Sequence, residues 1–248
     1  EMIPRIQIVE YLRAFLMNRV ANAHLNTLML ISGAFGLFRR STIVEMGGYR
    51  YDTVGEDLEL VVRMHRFLRD NRRDYRIAFV PDIVCWTEAP AALKGLDNQR
   101  ARWQQGAMET LQRHRGMIFN PRYGRIGLVA MPQIVLEDIL GPPAELLGYL
   151  VLPAAALFGL LDPIMAVAFF FVSIVFGCAL SVGTLALEEQ QLRRTPSARD
   201  LFRIGVAAVV ENFGYRQINL WYRLYGIVRF FRKDSSWAAV PRVGFTEG

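Results

Sequence analysis

Apolar residues follow three different spacings along this 248-residue chain. Over residues 5–31, Ile8, Tyr11, Leu12, Phe15 and Leu16 recur at i, i+3 and i+4, which predicts an amphipathic helix. Glycines at 33, 36, 47 and 48 then break helical periodicity. The stretch predicts a short strand near 34–38 and a short helix near 41–46, capped by Ser41 and closed by Gly47. The run "GEDLELVVRMHRFLRDN" restarts a helix, with Glu56 and Asp57 in its first turn, where the helix dipole favours anions. Leu58, Val61, Val62, His65 and Leu68 form its inner face. "YRIAFVPDIVCWTEAP" alternates with period two and predicts one or two strands, with Ile77, Phe79 and Val80 buried and a turn at Pro81–Asp82. A helix over 91–115 follows.

This order of helices and strands predicts an α/β unit, and half of one, because the strands are too few to close a sheet over a core. Beyond residue 125 the pattern changes. From Leu146 to Leu187 Asp162 is the sole charged residue, and about 20 apolar residues match a hydrocarbon core of roughly 30 Å. Residues 144–161 and 164–187 are therefore expected to be transmembrane helices with Asp162–Pro163 as the turn. Segments 126–141 and 204–222 are expected to be interfacial or re-entrant, or a further pair of spans. Residues 201–231 are apolar but interrupted by Glu211, Asn212, Arg216 and Gln217, as in a helix inside a bundle or at an interface. The boundaries expected are 1–125 for the polar unit, 126–231 for membrane and interfacial helices, and 232–248 for a cytosolic tail.

Charge supports this division. The net charge of +6 comes from 27 Arg and 2 Lys, and the arginines cluster beside the apolar segments, which puts those flanks on the cytosolic side. Nucleic-acid binding has no motif to support it. Cys85 and Cys178 sit in unlike settings, which argues against a disulfide, and His24, His65 and His114 have no metal-ligand spacing. No basic-then-apolar leader opens the chain, which begins at Glu1 without Met; a C-terminal fragment of a longer protein is expected.

Two places can carry chemistry. A carboxylate at a helix start after a glycine turn, as at Asp57, can meet a hydroxyl as general base, although two acids at a helix N-terminus also serve the dipole alone. In "QRARW", Gln99, Arg102 and Trp103 have i, i+3, i+4 spacing and share a helix face. That face offers an amide, a guanidinium fork suited to phosphate and an indole on which a sugar ring can stack. An interfacial helix anchored by Arg102 and Trp103 is the alternative.

With "SGAFGLFRR" at 32–40, "GED" at 55–57 and "QRARW" at 99–103, in that order and followed by apolar spans, the chain resembles the membrane-integrated family 2 glycosyltransferases, which include bacterial cellulose, hyaluronan, chitin and poly-N-acetylglucosamine synthases. The resemblance implies a fold: the C-terminal half of a GT-A type nucleotide-sugar transferase domain, followed by an all-α transmembrane bundle. It implies inverting transfer from a nucleotide sugar, UDP-linked, to the end of a growing β-linked polysaccharide at the cytosolic face of the inner membrane, coupled to export. Asp57 matches the family's general base and Glu56 its neighbour. Gln99, Arg102 and Trp103 match residues around the nucleotide diphosphate and the acceptor ring, and Arg100 is placed in the same substrate-binding set. Ser32 and Gly33 align with an element lining the acceptor site, from which Ser32 and Ala34 depart. Mg²⁺ or Mn²⁺ is implied, yet the chain has no D-x-D motif, so its ligands are expected mainly outside this sequence and the chain alone is expected to be inactive. Two other readings are a non-processive transferase making a glycolipid and a membrane scaffold or transporter without catalysis.

Overall fold

The computed structural model describes residues 6–7, 10–11, 18–80, 85, 90, 93–192, 206 and 210–234. Most of the first amphipathic pattern (Ile8, Leu12, Phe15 and Leu16), the Pro81–Asp82 turn, the loop over 193–200 and the tail over 235–248 lie outside the described residues. Helix α1 spans Arg19–Leu25 and ends sooner than the expected limit at residue 31, because Asn26 takes a left-handed conformation (φ 53°) and caps it through its N–H. Thr27, Leu28 and Met29 then run into the core, all buried.

Helix α2 (Arg40–Glu45) starts one residue before Ser41, has no side-chain cap, and gives way to Gly47 and Gly48 at positive φ. Helix α3 (Glu56–Asp70) begins where the acidic pair predicts. It buries Leu60, Val61, Val62, Met64, His65 and Leu68. Its two flanks feed different clusters. Val61, Met64 and Leu68 meet Leu28 and Ile77, whereas Val62 meets Met29, Leu111, Met117, Tyr123, Ile126 and Met131. Helix α3 is thus wedged between the polar unit and the start of the apolar region.

The expected α/β half-domain is corrected: no strand is present among the described residues, which are mainly helical. Two local reasons are visible. Residues 34–38 follow a turn closed by the Phe35 N–H on the Ser32 carbonyl, and Leu37 points outward, 86% exposed. Residues 75–80 do alternate, with Ile77 buried and Phe79 packed on the same cluster, but Val80 is exposed rather than buried. Their backbone is engaged by a side chain instead of a neighbouring strand: Asn26 Oδ1 accepts the Ile77 N–H (3.2 Å) and Asn26 Nδ2 donates to the Tyr75 carbonyl (3.2 Å). Alternation records which side is buried, not whether a ladder partner exists.

Helix α4 (Leu93–Arg113) leads through two 3₁₀ turns to a continuous helix, α5 (Ile126–Leu157). The two π-helical stretches in α5, Ile126–Ala130 and Val135–Leu140, are the segment expected to be separate from the span; the structure joins them to it. Helix α5 is 32 residues long and apolar enough to cross a membrane, and its apolar window is almost wholly exposed, 6% buried. A turn with Gly159 at positive φ leads to α6 (Pro163–Leu192). There Asp162 Oδ1 accepts the N–H groups of Ile164 and Met165, a side-chain cap at the turn expected for it. Helix α7 (Arg216–Arg232) returns to lie on α4. They meet tightly at Gly226, where a Cβ would stand 2.5 Å from the Ala101 carbonyl oxygen.

His65 lies at the centre of the polar unit. It is fully buried; its Nε2–H donates to the Leu28 carbonyl (2.9 Å), and in the neutral ring that burial favours its Nδ1 accepts from the Tyr75 hydroxyl (2.6 Å). Burial pulls its pKa down from 6.5 to about 4. Between those values the unfolded chain takes up a proton that the folded one refuses, so stability is complete above pH 6.5 and is lost as pH falls towards 4. Thermal unfolding midpoints are expected to drop over that window. In His65→Gln, whose amide can still donate to Leu28, the drop over the same window should be shallower.

Candidate functional site

A cavity of about 530 Å³ opens between α1, the start of α3, α4, α5 and α7. Its wall contains Ser32, Glu56, Asp57, Arg100, Arg102 and Trp103 from the sequence-predicted set. Residues from three distant segments thus meet at one place. Gly33 stands just behind it, and its N–H donates to Asp57 Oδ2 (3.2 Å). The other oxygen of Asp57 accepts the Leu58 N–H (2.8 Å), so two backbone donors orient this carboxylate. Arg19 also lines the cavity. Burial brings its pKa down to about 10 against the opposing pull of the Asp57 charge, so it is a cation at neutral pH.

The geometry behind Asp57 comes from a backbone contact. Gly55 and Gly106 touch: a Cβ on either would fall within 2.8 Å of the other's Cα. This lets the loop before α3 lie directly on α4. Beneath it, Glu59 is fully buried between Arg63 and His114. Burial pushes its carboxyl up, but the His114 hydrogen bond and the Arg63 guanidinium outweigh that and hold it below the usual glutamate value. Arg63 also donates to the carbonyls of Met46 and Gly48 (both 2.6 Å), tying the loop after α2 to the same helix.

The "QRARW" residues divide into two groups. Arg102 and Trp103 face the cavity, and Trp103 is 43% exposed. Arg100 is buried and held in place by the protein: it makes a bidentate pair with Glu10 (2.6 and 2.8 Å), and its guanidinium lies over the Trp103 ring at 4.6 Å. Tyr215 donates to the same Glu10 carboxylate (3.1 Å). Gln99 is not on the cavity wall; its Oε1 accepts from the Tyr11 hydroxyl (3.4 Å), and Tyr11 tilts against Trp103 at 6.4 Å. A cation over an indole contributes about 0.5–2 kcal/mol. Arg100 and Tyr11, which also line the cavity, therefore hold the indole, and Gln99 holds Tyr11.

Sequence reasoning missed the far wall. Arg223 of α7 donates to Gln104 Oε1 (2.9 Å), the Glu137 carbonyl (2.7 Å) and Asp138 Oδ1 (2.9 Å), while Gln104 donates to the Asp138 carbonyl. The backbone acceptors belong to the π-helical turn of α5, where the wider helix frees carbonyls for other partners. The signal that was available is a charged pair, Glu137–Asp138, inside an apolar run; the arginine that meets it is 85 residues away. Among the described residues no group of three or more His, Cys, Asp or Glu side chains is placed to hold a metal ion. Glu56 and Asp57, faced by Arg19, do not by themselves fit a divalent cation.

The chain matches the family described as Glycosyl transferase family group 2 over residues 5–186, well over half its length, and so it belongs to that family. It is similar to the poly-beta-1,6-N-acetyl-D-glucosamine synthases of Staphylococcus aureus (strain COL), 34% identical over 109 residues, and of Staphylococcus epidermidis, 32% identical over 109 residues. Each match covers 44% of this chain and 25% of the relative, so the similarity spans a quarter of those proteins. No solved structure matches the chain.

The division within "QRARW" makes a stability prediction. Arg100→Ala leaves the Glu10 carboxylate without its cation in a largely buried setting, a change that costs roughly 3 kcal/mol. Thermal unfolding should show a loss of that order for Arg100→Ala and a much smaller one for Arg102→Ala.

Proposed function

We propose that this chain carries the acceptor side of an inverting glycosyltransferase that extends a β-linked polysaccharide from a nucleotide sugar. The observation that carries the reading is the meeting of Asp57, Arg102 and the exposed face of Trp103 on one cavity, in a chain of this family. Transfer of a sugar needs three things: removal of a proton from the acceptor hydroxyl, stabilisation of charge on the departing diphosphate, and a fixed orientation of the acceptor. Asp57 takes the proton as the acceptor oxygen bonds to the anomeric carbon. The bond from that carbon to the phosphate oxygen breaks on the opposite face, and its electrons leave with the diphosphate, beside Arg102. The acceptor ring stacks on Trp103, which Arg100 and Tyr11 hold. Glu56 and Ser32 line the approach, and Gly33 orients the base through its N–H.

The donor in this reading is a UDP sugar, and N-acetylglucosamine is the first to test because the similar staphylococcal proteins are named for a polymer of it. The Mg²⁺ or Mn²⁺ that the family resemblance implies would be held by residues outside those described, and no step above depends on it. The exposed apolar surface of α5, and the basic residues Arg122 and Arg125 just before it, support insertion of α5 and α6 in the inner membrane with the cavity on the cytosolic side. The cavity then opens next to the helices along which a polymer would be exported.

The test is transfer in membranes containing the full-length protein, using a panel of labelled UDP sugars and sizing the product. Asp57→Asn is expected to lower kcat by about 10²–10⁴-fold. Trp103→Ala is expected to weaken acceptor use. Wild-type rates in both would remove the assignment, and a single sugar added to lipid would replace the polymer with a glycolipid product.

A further inference from the structure

The side chain of Glu109 lies outside the cavity, yet it is the point at which the loop carrying Asp57 is fastened to α4. Glu109 Oε2 accepts two hydrogen bonds from that loop, from Thr53 Oγ1 (2.8 Å) and the Val54 N–H (3.0 Å). Thr53 Oγ1 in turn accepts the Gly55 N–H (3.3 Å). The other oxygen, Oε1, accepts from Gln105 Nε2 (2.9 Å), and that amide also donates to the Asp234 carbonyl beyond the end of α7 (2.8 Å). Both oxygens are therefore committed to three donors; the carboxylate joins the loop to α4, and the Gln105 amide carries the connection on to the end of α7.

The register of these contacts gives the carboxylate its significance. The loop runs antiparallel to α4: Thr53 meets Glu109, Gly55 meets Gly106, and Asp57 shares a cavity wall with Arg102 and Trp103. Residues 102, 106 and 109 fall on one helix face at i, i+4 and i+7. Charge-assisted hydrogen bonds fix the first pair, backbone contact fixes the second, and the third has no direct bond of its own. A slide of the loop at Glu109 is transmitted through two residues of backbone to Asp57.

We propose that Glu109 is a positioning residue that sets the distance between Asp57 and the Arg102–Trp103 face. It touches neither sugar nor diphosphate and acts through the 53–57 loop. The proposal rests on the sugar-transfer reading above. It predicts a change in kcat with little change in KM for the donor, because the loop aims the base and does not bind the nucleotide sugar. A misplacement of about 1 Å can cost on the order of 100-fold in rate.

The experiment measures kcat and KM for the nucleotide sugar in membranes holding the full-length protein, with protein level and thermal midpoint recorded for each variant. Glu109→Ala is expected to lose about 100-fold in kcat with KM within about threefold. Glu109→Gln, which keeps an acceptor oxygen for Val54 and Thr53, should recover most of that loss. Thr53→Val, which removes one of the three donors and preserves volume, should fall between wild type and Glu109→Ala; it decides the matter if Glu109→Ala does not fold. Wild-type kcat in Glu109→Ala or, where that variant does not fold, in Thr53→Val, or equal loss in Glu109→Ala and Glu109→Gln, overturns the positioning role. Asp57→Asn separates the two claims: if it is inactive while Glu109→Ala is fully active, only the positioning role falls, whereas full activity in Asp57→Asn removes the base assignment beneath it.

Discussion

The arrangement depends on a place where two backbones come together without side chains between them. Gly55 and Gly106 approach so closely that a methyl group on either would collide with the main chain of the other. Because of that contact the turn before α3 rests on α4, and the N-terminal carboxylates of α3 share a cavity with the middle of α4. Glycine in a helix interior costs about 1 kcal/mol relative to alanine. Here it permits a separation that no other residue allows, and polar contacts on both sides of it, from Glu109 to the loop and from Glu59 to Arg63 and His114, hold the register.

A second close approach, at Gly226, brings α7 onto the opposite side of α4. Helix α4 is consequently gripped between the loop before α3 and α7, and its polar residues are used inward. Gln104, Gln105, Arg100 and Thr110 are all buried along it. Gln104 and Arg223 reach the π-helical turn of α5, so the helix bearing Arg102 and Trp103 is bonded directly to the long apolar helix. Movement of α5 and α7 would be felt at the cavity through these bonds. The same surface of α5 that leaves the polar unit is exposed and apolar, which links the placement of the cavity to the membrane proposed for α5.

Much of this was readable from residue order. The start of α3 at Glu56, its inner face and the turn at Asp162 follow from a glycine, two acids, an apolar period and an Asp-Pro pair. The cavity residues Asp57, Arg102 and Trp103 were legible as chemistry, because a carboxylate at a helix start and a guanidinium beside an indole are unusual choices for packing alone. The strands were not. Period-two alternation at 75–80 arises from burying Ile77 and Phe79 on one side, while Asn26, some 50 residues earlier, takes the hydrogen bonds that a strand would have supplied. Helical spacing already set Arg102 beside Trp103 on one face of "QRARW", with Arg100 about 200° away around the helix. What Arg100 does there was not legible, because Glu10, and the Tyr215 that shares its carboxylate, lie far off in sequence on either side.

The most direct test of the account is Gly106→Ala, measured as sugar transfer and thermal stability in the full-length protein. In an ordinary helix interior this substitution stabilises by about 1 kcal/mol. The account predicts the reverse: a Cβ 2.7 Å from the Gly55 Cα must push the loop off α4, lowering the unfolding midpoint and moving Asp57 away from Trp103 with a marked loss of transfer. A variant as stable as wild type or more so, and transferring sugar at the wild-type rate, would contradict it.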